Sequence, residues 1–227
     1  MRAHRSFALV VGVGAAISST ATVGGQPTPP AEAAIQELHP TRAACESMDS
    51  GAFFFPEGTF GDSNSKEPFV RGWYSSHLRA MSEPTLSCKQ SATESYRFLW
   101  LRTWGAPIAV RVEVLGGAAA ITAVELDGAG GYRPGKVARR VERKLTKVEW
   151  AQVSDGLVKI EFWKTPTREG RGGLDGAQWV LEGRKGSQYH VVDRWTPQGG
   201  DFRELCLSLL KLADMLPEGT GRRGRIY

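Results

Sequence analysis

One stretch near the end of the chain, Leu174 to Pro197, holds most of the side chains that could do chemistry. Asp175, Glu182, His190 and Asp193 all fall inside it. Carboxylates working in pairs, or beside an imidazole, can act as acid and base, so a small hydrolase is one reading. Nothing in the spacing fixes how far apart these groups lie. Asp193 alternates onto the strand face that carries Trp179 and Val191, which draws its carboxylate towards the core. An unpaired buried carboxylate is costly, and arginine is the usual remedy. Arg102 is the expected partner, because it shares a strand face with Phe98 and Trp100. The plainer reading is a structural ion pair at the end of a sheet. The sharper one is a ligand pocket lined by Arg102, Trp104, Asp193 and Trp195, in which flat indole area beside polar anchors suits a sugar or a peptide.

Other familiar constellations are missing. There is no Gly-x-Ser-x-Gly elbow, no His-Glu-x-x-His and no Cys-x-x-Cys pair, so neither a hydrolase serine nor a zinc site is expected. His39, His77 and His190 are scattered. Gly128-Ala129-Gly130-Gly131 imitates a nucleotide loop, but Arg133 stands where the dinucleotide pattern needs its third glycine. Val137 follows Gly135-Lys136 where a phosphate loop needs Ser or Thr. These glycines read as turn formers, and no cofactor or metal is expected.

The elements that must position these groups are legible from periodicity. Trp73, His77, Leu78 and Met81 recur at three- and four-residue steps, which predicts a helix ending before Pro84. His77 lies on or beside its apolar face and reads as a hydrogen-bonded core residue. Tyr96 to Trp104 is apolar on both sides, as a central strand would be. Ile108 to Val114 alternates cleanly, Gly116-Gly117 turns the chain, and Ala119 to Leu126 gives a third strand. Thr146 with Glu149 forms a capping box, so a helix starts there and the preceding segment from Lys136 is a strand. Gly156 reads as a weak point in that helix. Ala177 to Trp195 reads as a hairpin with a three-residue loop, Arg184-Lys185-Gly186, pairing Trp179 with Val191, Val180 with His190 and Ala177 with Asp193. Asp201 caps a final helix presenting Phe202, Leu205, Cys206, Leu209, Leu210 and Ala213. The fold class is therefore α+β, an antiparallel sheet of about six strands with helices packed on one face. The Phe53-Phe54-Phe55-Pro56 and Phe60 segment reads as a strap on the core, with an exposed docking patch as the alternative.

The amino end predicts the address. Arg2 and Arg5 precede an apolar run, Phe7 to Ile17, and small residues follow up to Ala21. That order reads as a secretory signal peptide over 1–21, and the run is far short of the ~20 residues of a bilayer crossing. Residues 22–44 read as a flexible leader, 45–216 as a single domain and 217–227 as a disordered basic tail. The formal net charge of +5 is concentrated in Arg2, Arg5 and the tail arginines Arg222, Arg223 and Arg225. The body between is close to neutral, which argues against nucleic-acid binding. A hydrophobic share of 41% and a charged share of 23% belong to a globular chain. Three cysteines, Cys45, Cys88 and Cys206, predict one disulfide and one leftover thiol in an oxidising compartment, with all three pairings open.

Tyr96-Arg97-Phe98-Leu99-Trp100-Leu101-Arg102-Thr103-Trp104 and its continuation Arg111-Val112-Glu113 resemble a block shared by uncharacterised secreted bacterial proteins. So do Leu174-Asp175-Gly176-Ala177-Gln178-Trp179 with Glu182, and Tyr189-His190-Val191-Val192-Asp193-Arg194-Trp195-Thr196-Pro197. The resemblance runs from Tyr74 to Leu212 and implies a bacterial exported domain; it carries no assigned activity. The expected function is a non-enzymatic binding module, secreted or periplasmic, that recognises an envelope protein or glycan. The alternatives are the small hydrolase and an inhibitor-like envelope protein docking through a sheet edge or the Phe strap.

Overall fold

The run that is apolar on both sides becomes the centre of the sheet. The computed structural model describes residues 53–61, 66–88, 94–170, 172–173 and 175–217, all within the compact unit Glu37–Tyr227. Residues 1–52, on which the expected signal peptide, the expected leader and Cys45 fall, and residues 218–227 of the expected tail lie outside the described residues. In chain order come α1 (Glu67–Ala80), β1 (Glu94–Arg102), β2 (Ile108–Leu115), β3 (Ala118–Leu126) and β4 (Val137–Lys144), followed by α2 (Lys147–Lys159), β5 (Ala177–Lys185), β6 (Gln188–Trp195) and α3 (Asp201–Leu212). The six strands form one antiparallel sheet in the order β4-β3-β2-β1-β5-β6. Gly116 and Gly117 have φ of 57° and 81°, the left-handed pair that a two-residue hairpin between right-twisted strands requires.

Both faces of the sheet are covered. Phe98, Trp100, Val110, Val112, Trp179 and Leu181 share one core with Val153 and Leu157 of α2 and Leu205, Leu209 and Leu210 of α3. Their strand neighbours Leu99, Leu101, Ala109, Val180 and Val191 point the other way. They meet Tyr74 and Leu78 of α1 together with Phe54, Phe55 and Phe60. Helices on one face thus describes α2 and α3, while α1 and the phenylalanine strap form a layer on the opposite face. The strap is fixed by area: each buried Phe contributes about 1.5–3 kcal/mol.

Local readings were refined by packing. The Thr146 side chain accepts from Glu149 N–H and the Glu149 carboxylate accepts from Thr146 N–H, which sets the start of α2. Gly156 is a close-approach position: a Cβ there would stand 2.7 Å from Leu205 Cδ1 of α3. Asp201 does not cap α3; Gly200 holds the cap position, and Asp201 is the first helical residue, paired to Lys159 at 2.7 Å.

The last hairpin departs from expectation in register. Trp179 pairs with Arg194, Val180 with Asp193, and Lys185 with Gln188. The loop has two residues, Gly186 and Ser187, and Gly186 has φ of 58°, as the first position of a II′ turn demands. The odd shift in pairing moves Asp193 off the Trp179 face and onto that of Val180 and Val191.

Arginines from the sheet hold the segment after α1. Arg97 donates to the Pro84 carbonyl at 2.6 Å, Arg184 to the Ser87 carbonyl at 2.7 Å and Arg140 to the Met81 carbonyl at 2.8 Å. Arg97 is itself wholly buried and paired with Glu182, with Glu83 at 3.4 Å. Arg111 reaches Glu83 at 2.9 Å, and the Tyr189 hydroxyl donates to Glu182 at 2.8 Å. Burial pushes the Glu182 carboxyl upwards while Arg97 pulls against that shift.

Candidate functional site

At one end of the α1 face the two layers diverge and leave a cleft of about 810 Å³. This is within the ordinary range for small-molecule sites. Helix α1 supplies Phe69, Trp73 and Ser76, the strap supplies Phe53, Thr103 follows the end of β1, and the ends of β5 and β6 supply Gln178 and Trp195. Tyr132, from the loop joining β3 to β4, and Asp175, just before β5, complete the working part of the wall. Among the described residues of this lining there is no Lys, Arg or His, and Asp175 is the one carboxylate.

The glycine-rich segment explains how Tyr132 gets there. Gly130 N–H donates to the Gly105 carbonyl at 2.9 Å, and Gly131 N–H to the Thr103 carbonyl at 3.2 Å. A Cβ on Gly130 would lie 2.6 Å from the Arg102 backbone, so glycine is what allows the loop to press on the end of β1. The Trp73 indole N–H donates to the Gly130 carbonyl at 2.8 Å, tying α1 to the same loop. Trp195 is seated similarly: Cβ atoms on Gly173 or Gly176 would each come within 2.7 Å of its ring. Tyr132, Trp73 and Trp195 are therefore set on a tightly packed frame. The aromatic rim itself stays open, with Phe69 73% exposed and Tyr132 57% exposed.

Of the side chains expected to form the pocket, Trp195 lines the cleft. Trp104 stands outside the lining, 71% exposed, and packs against Tyr132 at a tilt of 39°, with ring centroids 5.1 Å apart. Asp193 is on the same sheet face as Trp195 but sealed in, 4% exposed. Its partner is not Arg102. Arg168 Nε donates to Asp193 Oδ2 at 2.9 Å, and the Tyr74 hydroxyl donates to the same oxygen at 3.2 Å. Arg102 belongs to the opposite face, where its guanidinium lies 4.3 Å from the Trp100 ring centroid and donates to the Ala106 carbonyl at 3.2 Å. The pairing of Arg102 with Asp193 fails because the hairpin register turns Asp193 over. Burial raises the Asp193 carboxyl and Arg168 acts in the opposite sense. The pair ties the loop after α2 to β6, with Asp193 N–H donating to the Thr167 carbonyl at 2.7 Å.

The acid–base candidates do not converge. Glu182 is locked to Arg97, Asp193 to Arg168, and His190 Nε2 is bonded to the Thr165 carbonyl at 2.8 Å. Asp175 alone of the four reaches the cleft lining. His77 is fully buried in α1, and burial lowers its imidazole to about 4 while the Gly130 carbonyl opposes that shift. Cys206 is a free thiol in the core, its pKa pushed up by burial. No group of His, Cys, Asp and Glu among the described residues is placed to hold a metal ion. No helix among them is long and apolar enough to cross a membrane.

Sequence reading missed Phe53, Phe69, Trp73, Tyr132 and Gln178 as cleft residues. The available signal was Phe69 and Trp73 at i and i+4, one aromatic stripe on α1, and a tyrosine set in a glycine loop. A second, smaller groove of about 280 Å³ lies at the other end of the sheet, lined by Tyr96, Phe162, Trp163 and Glu161 among others. No protein-family model matches the chain, and no curated protein sequence matches it.

Proposed function

We propose that this protein is an exported bacterial binding module without enzymatic activity, acting in the periplasm or outside the cell. Its ligand, presented by an envelope protein or glycan, seats in the aromatic cleft. The observation that carries the reading is the lining: Phe53, Phe69, Trp73, Tyr132 and Trp195 with a single carboxylate, Asp175. Rings of this kind on a rigid frame supply contact area at low entropic cost. One carboxylate without a second acid or a base does not make a hydrolytic pair.

The test uses the rim residues, whose exposure makes them safe to truncate. Immobilised wild type and a Phe69→Ala, Tyr132→Ala double variant are offered the same envelope extract after their melting temperatures are matched. Recovery of partner by wild type should fall at least about tenfold with the variant, as loss of two aromatic anchors implies. Equal recovery removes the cleft from the account.

Export rests on the amino-terminal pattern, with cleavage near Ala21, and on the resemblance to secreted bacterial proteins. We propose Cys45–Cys88 as the accompanying disulfide. It is supported by elimination, since Cys206 is free and wholly buried in α3. The intact mass of the protein collected outside the cytoplasm should correspond to a chain starting near Thr22 that gains two hydrogens on reduction. Recovery of the whole precursor in the cytosol, Met1 included, contradicts both parts.

A further inference from the structure

The charge and chemistry of the cleft wall point to the kind of group it receives. Five aromatic side chains share the lining with Asp175, and no cationic side chain does among the described residues. Aromatic ring faces are electronegative and attract cations, and a carboxylate adds to the same field. An anionic ligand would meet that field with Arg71, already paired with Glu67, as the cation nearest the lining. The lining already shows its preference, because the Arg71 guanidinium sits 4.0 Å from the centroid of the Phe53 ring. Arg71 is also held by Glu67 at 3.5 Å, so this cation is fixed beside the wall, while Tyr132 stays 57% exposed.

We propose that the cleft recognises an organic cation, an alkyl- or quaternary ammonium group borne by its envelope protein or glycan ligand. This deepens the binding reading above and rests on it. Trp73, Tyr132 and Trp195 offer faces to the cation and Asp175 balances its charge. Gln178 and Thr103 serve the polar remainder of the ligand. A cleft of about 810 Å³ exceeds what a lone ammonium group fills, so the cation is one end of something longer. A phosphocholine lipid headgroup is disfavoured, because its phosphate would come close to Asp175 with no basic partner in the lining.

Choline is the minimal probe, and 3,3-dimethylbutan-1-ol is its neutral counterpart of nearly the same shape. Titrations followed by calorimetry at low salt should show choline binding at least about tenfold more tightly than the alcohol. Cation–π attractions of the usual size predict that Tyr132→Ala weakens choline by about two- to thirtyfold. Asp175→Asn should weaken it about three- to tenfold, with the loss shrinking as salt rises. Neither exposed substitution should move the melting temperature appreciably. Choline binding no better than the alcohol, or binding indifferent to both substitutions, overturns the proposal. So does attachment to phosphatidylcholine vesicles in the absence of free-choline binding. If choline fails while the Phe69→Ala, Tyr132→Ala variant still loses its envelope partner, the cation is wrong and the cleft stands.

Discussion

Replacing Arg97 with methionine is expected to lower the unfolding free energy by about 3–5 kcal/mol, the usual cost of stripping one partner from a buried ion pair. Arg97 sits in the middle of β1, paired with Glu182 and within 3.4 Å of Glu83. Glu83 keeps Arg111 at 2.9 Å, so Glu182 is the charge left stranded. The same substitution removes the donor to the Pro84 carbonyl and loosens the segment that α1 leads into. An Arg97→Met, Glu182→Gln protein should regain more than half of the loss. The glutamine oxygen still accepts from Tyr189, and the buried charge that remains there, Glu83, keeps Arg111 as its partner. Urea unfolding of the two single variants and the double one gives the coupling directly. A loss under about 1 kcal/mol for Arg97→Met, the scale of an exposed ion pair, would mean that water reaches Glu182.

Acid should destabilise the protein through His77. Its imidazole is held near 4 by burial, against an ordinary value of 6.5. Above pH 6.5 it is neutral both folded and unfolded, and its contribution is fully present. Between 6.5 and 4 the unfolded chain takes up a proton that the folded protein refuses, so stability falls by about 1.4 kcal/mol per pH unit. The total is about 3 kcal/mol by pH 4. Glu182 and Asp193, whose carboxyls are raised by burial, act the other way as pH falls. The comparison is therefore wild type against His77→Gln at each pH. The stability difference in favour of wild type should shrink by about 3 kcal/mol between pH 7 and pH 4. A difference that stays constant means that the buried imidazole does not resist protonation.

Sequence periodicity was sufficient wherever one residue's neighbours decide its environment. β1, β2, β3 and α1 follow from alternation or helical spacing. The Thr146–Glu149 box revealed the start of α2 in a segment that fits two periods. The hairpin failed at a single feature, the choice between a three-residue loop and Gly186-Ser187 alone. Alternation fixes parity only once the loop is known. That error displaced Asp193 to the wrong face and with it the proposed Arg102 partner, whereas Arg168 lies in a segment with no periodic signal. The second layer was hidden for a related reason: strands apolar on both faces do not say which helix covers which side. The cleft was barely legible. Trp195 was found by residue type, but Phe53, Trp73 and Tyr132 meet it through contacts between segments far apart in the chain. Gly130 and Gly156 looked like turn and defect, and only the backbone and side chains packed on them explain their lack of a side chain.

The location of the ligand is tested most directly by the indole N–H resonances of the tryptophans while the protein binds the envelope fraction it retains. The account predicts that Trp73 and Trp195 shift. Trp100 and Trp179, buried beneath α2 and α3, should stay in place. Shifts at Trp163 beside the smaller groove, with Trp73 and Trp195 unmoved, would contradict it.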